Sequence, residues 1–180
     1  MKSKIIIIIL LVLLVPSLAF NAIMVYRELT RWDVIVEDIL RAGDMAPDFS
    51  VELLTGETFT LSEHRGTVVA LDFWATWCGP CVQKMPSTQA LSEQFEGQVM
   101  FVGINVGEHL EQVLDFIDER GFTYPIGLDE NSYIHRNLYP SPGIPYMVII
   151  NRDGIITETF SGYGIGMDEL IEAAILDALR

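Results

Sequence analysis

Cys78 and Cys81 are the only cysteines in a chain of 180 residues, and what flanks them leaves few folds available. An apolar, strand-like run over 68–74 leads into Trp77-Cys78-Gly79-Pro80-Cys81, and a helix-like run over 82–95 leads out. Both sulfurs therefore fall at a strand-to-helix turn, with Cys78 in the first turn of the helix. Free backbone N–H groups and the helix dipole favour a thiolate there. A single cysteine pair cannot staple a miniprotein, and with half the residues apolar the chain needs no staple. The pair reads as chemistry rather than scaffold.

The strand before the cysteines is apolar on both faces, as a central parallel strand is, apart from Asp72. After the helix, which contains Pro86 and stops at Gly97, residues 99–106 form a second buried strand. Leu110, Val113, Leu114 and Ile117 have helical spacing up to Gly121. Residues 124–128 read as a short strand and 132–138 as a short helix. A loop rich in Pro and Gly, residues 139–145, delivers a strand over 146–150. Asn151-Arg152-Asp153-Gly154 turns it into a return strand over 155–160. Asp168 reads as the cap of a last helix, with Leu170, Ile171, Ala174, Ile175 and Leu179 facing inward. Residues 49–53 and 58–61 form a leading β-hairpin around Thr55-Gly56, followed by a short turn capped at Ser62. Strands and helices alternate and an antiparallel hairpin closes the chain. The fold class is α/β, a mixed sheet covered on both faces.

Ahead of this domain, which spans 44–180, lie two other segments. Lys2 and Lys4 precede an unbroken run of Ile, Leu and Val over 5–15, and apolar character continues to Tyr26. Residues 1–26 read as an N-terminal signal anchor, since a bilayer core takes about 20 apolar residues, with cleavage after Ala19 as the competing outcome. Either way the basic start stays inside and the domain lies outside. Residues 27–43 have the apolar spacing of an amphipathic stalk. All 25 acidic residues follow the apolar run, and the net charge is −14. That excess argues against nucleic acid as a partner.

Within the site, Cys78 is expected to attack a substrate disulfide and Cys81, one turn deeper, to resolve the mixed disulfide. Pro80 is tolerated at the helix start, where its missing N–H has no partner to lose. Trp77 either offers a docking surface beside the pair or packs in the core. Asp72, buried among Leu71, Phe73 and Trp74, should have a raised pKa and could accept the proton of Cys81. Pro145 sits where a cis proline serves, leaving the backbone at Ile144 to pair with an extended substrate segment. A closed zinc site would need two ligands beyond the cysteines, and His64, His109 and His135 are scattered. Cu(I) carriage by the two thiolates is the alternative from another class.

Taken together, Asp72-Phe73-Trp74-Ala75, Trp77-Cys78-Gly79-Pro80-Cys81, Pro86 and Gly143-Ile144-Pro145 resemble the thioredoxin superfamily, over residues 44–180. Ala46-Pro47-Asp48-Phe49, the leading hairpin, Asn105-Val106-Gly107-Glu108 and the insert around 124–139 resemble its membrane-anchored TlpA/ResA branch. The resemblance implies a thioredoxin-like fold and an extracytoplasmic thiol-disulfide oxidoreductase without a cofactor beyond its own redox-active disulfide. Its substrates would be exported proteins with cysteine pairs, apocytochrome c among them, and its electrons would come from a membrane donor of the DsbD/CcdA type. Gly79, Pro80 and Ile144 resemble reducing members of the superfamily. A thioredoxin-like peroxidase is disfavoured, because the residues before Cys78 do not resemble a peroxidatic setting. Two positions depart from the branch. Lys84 stands where a buried glutamate is usual and is expected to reach solvent, or else to lower a thiol pKa, and Asp72 matches thioredoxins at large.

Overall fold

In a computed structural model the described residues are 40–180, preceded only by Met24. The anchor, the cleavage site and all but the end of the stalk expected from the sequence lie outside them. Among the described residues no helix is long and apolar enough to cross a membrane.

Strand β3, Val68–Trp74, is buried along its whole length, because it runs through the middle of a five-stranded sheet. Its neighbour β4, Val99–Val106, is parallel to it, and Asp72 lies opposite Gly103 in the register. On its other side β6, Tyr146–Ile150, is antiparallel. The edges are β5, Ile126–Asp129, parallel to β4, and β7, Ile156–Ser161, antiparallel to β6. The mixed sheet expected from the sequence is therefore present. Alternation along β3 sorts its side chains into two cores. Val68, Ala70 and Trp74 join one of them, and Val69, Leu71 and Phe73 the other.

The first core is closed by three α-helices: α1, Gly79–Gln94, α2, Leu110–Arg120, and α3, Met167–Ala178. They supply Cys81, Met85, Leu91, Val113, Ile117, Ile171 and Ile175 to it. Helix α1 runs on through Pro86. Helix α2 stops where the sequence predicts, because Gly121 takes φ 72° and returns its N–H to the carbonyl of Ile117. The second core is covered by the hairpin β1, Ser50–Glu52, with β2, Thr58–Thr60, by a 3-10 turn at Leu61–His64 and by a π-helical turn at Ile134–Leu138. Phe49, Phe59 and Tyr139 make its aromatic centre, with Phe49 packed edge-on to Tyr139.

Some local expectations are corrected. Asp168 lies inside α3, whose N-cap is Gly166, and its carboxylate accepts hydrogen bonds from Ser87 and Tyr163. The hydroxyl partners hold Asp168 against α1, so it cannot cap its own helix. Leu170 is exposed, since the buried stripe of α3 is set by Ile171 and Ile175, one position further round. Ser62 caps nothing with its side chain; its backbone N–H donates to Asp48 Oδ1 at 2.9 Å. A hydrogen bond from the Ser62 side chain, with burial opposing it and that backbone bond adding to it, holds the Asp48 carboxyl below its ordinary pKa.

Candidate active site

The end of β3 and the start of α1 bring the cysteines together, and they form a disulfide. Cys78 is the N-cap of α1, with Pro80 in the first helical turn. The Cys81 N–H points at Cys78 Sγ, 3.3 Å away. An unpaired helix-start N–H is thus aimed at the sulfur that would carry negative charge on reduction. Cys78 keeps a sliver of exposure and Cys81 none.

Two residues border Cys78 from outside the helix. Trp77 is 70% exposed, which overturns core packing as its role: beyond the strand's exit the described residues leave the indole uncovered. Across from it, the Ile144 carbonyl oxygen lies 3.7 Å from Cys78 Sγ. The Ile144–Pro145 bond is cis, and the Pro145 carbonyl accepts the Gly162 N–H at 2.8 Å. Gly79, Pro80, Ile144 and Pro145 therefore all frame the sulfur.

Behind the disulfide, Asp72 and Lys84 form a buried ion pair, both nearly without solvent contact. This overturns the expectation that Lys84 reaches solvent. The sheet-facing stripe of α1 runs Cys81, Lys84, Met85, Thr88, Leu91, so the lysine points at β3 and at the one carboxylate there. The second carboxylate oxygen of Asp72 accepts a hydrogen bond from Thr88 Oγ1 at 3.4 Å. Burial pushes the Asp72 carboxyl above its ordinary pKa, while Lys84 and Thr88 pull the other way. Tyr124 stands close to the pair; burial, then the Asp72 charge, hold its phenol well above its ordinary pKa. Gly103 makes room for this packing, because a Cβ there would lie 2.7 Å from Ile126, 3.0 Å from Tyr124 and 3.1 Å from Trp74.

Glu108 is a site residue that reading for cysteines does not find. It is buried, and it accepts hydrogen bonds from the Thr76 N–H at 2.7 Å, the Thr76 hydroxyl, the Asn105 amide and the Gln112 amide. These bonds tie the approach to Trp77 and Cys78 onto the end of β4 and the start of α2. The available signal was Asn105-Val106-Gly107-Glu108, a polar pair at the end of a buried strand.

The histidines do not converge. His64 stacks on Phe59, His109 is exposed near Glu130, and His135 contacts Ser141. No cluster of three or more His, Cys, Asp or Glu that could hold a metal occurs among the described residues.

A mixed sheet with an N-capping cysteine, its partner one turn deeper and a carboxylate behind them defines a thioredoxin-like dithiol site. The sequence matches the Redoxin family model over residues 41–175. It is 32% identical to the thioredoxin-like protein YneN of Bacillus subtilis, over 86% of this chain and 87% of that one. It is 35% identical to the thiol-disulfide oxidoreductase ResA of Geobacillus kaustophilus, over 67% and 69%. A Chlorobium tepidum crystal structure, assigned to the thiol:disulfide interchange protein DsbE, superposes with TM-score 0.74 at 32% identity, over 78% of this chain and 99% of that one. The chain belongs to the Redoxin family and is a ResA-like thiol-disulfide oxidoreductase of the thioredoxin superfamily.

Proposed function

We propose that the protein is a membrane-anchored disulfide reductase working outside the cytoplasm on exported polypeptides, apocytochrome c among them. The observation that carries the chemistry is the setting of Cys78, held at a helix N-terminus beside the Ile144 carbonyl with the Asp72–Lys84 pair behind it. In the reduced enzyme Cys78 attacks one sulfur of a substrate disulfide; the other substrate sulfur leaves and takes a proton. Cys81 then loses its proton to Asp72 and attacks Cys78 Sγ, releasing the second substrate sulfur as a thiol. The enzyme ends as the Cys78–Cys81 disulfide, the substrate as a dithiol, and two electrons have passed between them. Lys84 favours the ionised Asp72 that can take the proton.

Substrate is held by main chain and surface rather than by a deep pocket. Trp77, Gly79 and Pro80 present one side of the sulfur, and Ile144 and Pro145 offer an extended segment the other. No cofactor beyond the disulfide is required. The apolar run over 5–26 supports anchoring, and a domain in an oxidising compartment needs continuous reduction, which a DsbD/CcdA-type membrane donor would supply. The test is reduction of insulin and of a Cys-x-x-Cys-His peptide by the full-length protein in detergent, with dithiothreitol as reductant. Turnover that Cys78→Ser abolishes supports the reading; turnover unchanged in Cys78→Ser overturns it.

A further inference from the structure

Beside the disulfide runs a groove of about 540 Å³. Trp77 and Ile144, the residues that border Cys78, form part of its wall; Val106, Gly107, His135 and Arg136 form more of it. No carboxylate is among its lining residues, although the chain carries 25 acidic residues against 11 basic ones.

Arg136 is set apart from the other described cations. Lys84 is paired with Asp72 and Arg180 with Asp177. Arg152 donates to the Leu179 carbonyl, Arg120 lies over the Phe116 ring, and Arg65 reaches Met45 Sδ. Arg41 is engaged too. Arg136 uses its backbone N–H in the turn, but among the described residues its guanidinium meets no carboxylate, carbonyl or ring. Next to it, burial lowers the pKa of His135, and the ring contacts Ser141 Oγ at 2.9 Å. The groove thus offers an indole, aliphatic surface and one unpaired positive charge.

We infer that this groove selects disulfide-bearing polypeptides with an acidic side chain near the reacting cysteine, through Arg136. The inference rests on the dithiol reading above and names its substrate class. Net negative charge repels an acidic polypeptide only at long range, and at physiological salt that repulsion is screened beyond about 8 Å. In the groove's lining the charged side chain is Arg136; the Asp129 carboxylate, which also acts on His135, is buried behind it and taken up by the Ile134 and His135 N–H groups. An exposed pair of this kind is worth about 1.4- to fivefold in affinity, enough to rank substrates without excluding any.

The experiment uses the reduced full-length protein in detergent at about 0.15 M salt. Its probes are three peptides, identical except for Asp, Ser or Lys beside a single cysteine blocked as its pyridyl disulfide. Pyridinethione release reports attack, and each rate is divided by that with dithiothreitol to remove intrinsic reactivity. The wild type should prefer the Asp peptide to the Lys peptide by about fivefold in kcat/KM, and Arg136→Glu should reverse the order. Arg120→Glu, exposed on α2 and outside the groove, should keep it. Equal normalised rates for the three peptides, or an Asp preference retained by Arg136→Glu, would overturn the inference while leaving the dithiol reading intact. Failure to react with even the Ser peptide would remove both.

Discussion

Lys84 reaches from α1 to Asp72 on β3, and the pair they form is sealed behind the disulfide. Two ions held that far from water are stable together and costly apart. The pair links the fold's stability to the proton traffic of the site.

Lys84→Met should destabilise the protein by about 3–5 kcal/mol near neutral pH, because it leaves a buried carboxylate without its counter-ion. The cost should shrink in acid. Asp72 has its folded pKa raised above the ordinary carboxyl value by burial, so its contribution is fully present below the unfolded pKa and is lost as pH rises through the folded one. Removing Lys84 raises the folded value further. Urea unfolding at pH 5 and pH 8 should therefore show a larger deficit for Lys84→Met at pH 8.

The same pair can be removed whole. Asp72→Asn with Lys84→Met leaves neither ion buried, and the double variant should be more stable than the sum of the single changes predicts, by about 2 kcal/mol or more. A double-mutant cycle in urea reads this directly; simple additivity would mean the two side chains do not interact.

Asp72→Asn should slow the resolving step rather than the first attack. General-base assistance is worth about a hundredfold or more, and it matters where the Cys81 thiol is not ionised unaided. The deficit should be greatest below the ordinary thiol pKa, about 8.5, and should fade above it. Stopped-flow resolution of a preformed mixed disulfide on Cys78, followed across pH, separates this from a general loss of folding, which would depress both steps.

Glu108→Ala strands the Thr76 N–H and the Asn105 amide, and leaves the Thr76 hydroxyl and the Gln112 amide only each other. A cost of about 3 kcal/mol follows from losing hydrogen bonds to a buried charged acceptor. Hydrogen exchange at Thr76 should speed up more than exchange in β3, because the loop before Cys78 loses its tether while the strand ladder stays.

Much of the fold was legible because it is written in periodicity and punctuation. Seven buried residues in a row give β3, Gly121 ends α2, and Asn151 to Gly154 close the last hairpin, with the Gly154 N–H on the Asn151 carbonyl. The cysteines and the residues around them were legible as chemistry. What escaped depends on tertiary partners. Lys84 carries a charge, and a charge on a helix reads as surface until a carboxylate across the core is known to meet it. The buried stripe of α1 includes Lys84 and Thr88, which blurs the apolar pattern that marks an inward face. Glu108 looks like a loop acid until Thr76, distant in sequence, turns up opposite it. The groove at Arg136 likewise needs the insert folded against the loop that carries Ile144.

The mechanism turns on Cys78 attacking and Cys81 resolving. Expressing full-length Cys81→Ser and Cys78→Ser in cells and comparing disulfide-linked adducts on non-reducing gels tests it most directly. Cys81→Ser should accumulate adducts to exported proteins through Cys78, dissolved by dithiothreitol, and Cys78→Ser should accumulate few or none. Adducts trapped instead by Cys78→Ser, with Cys81→Ser clean, would contradict it.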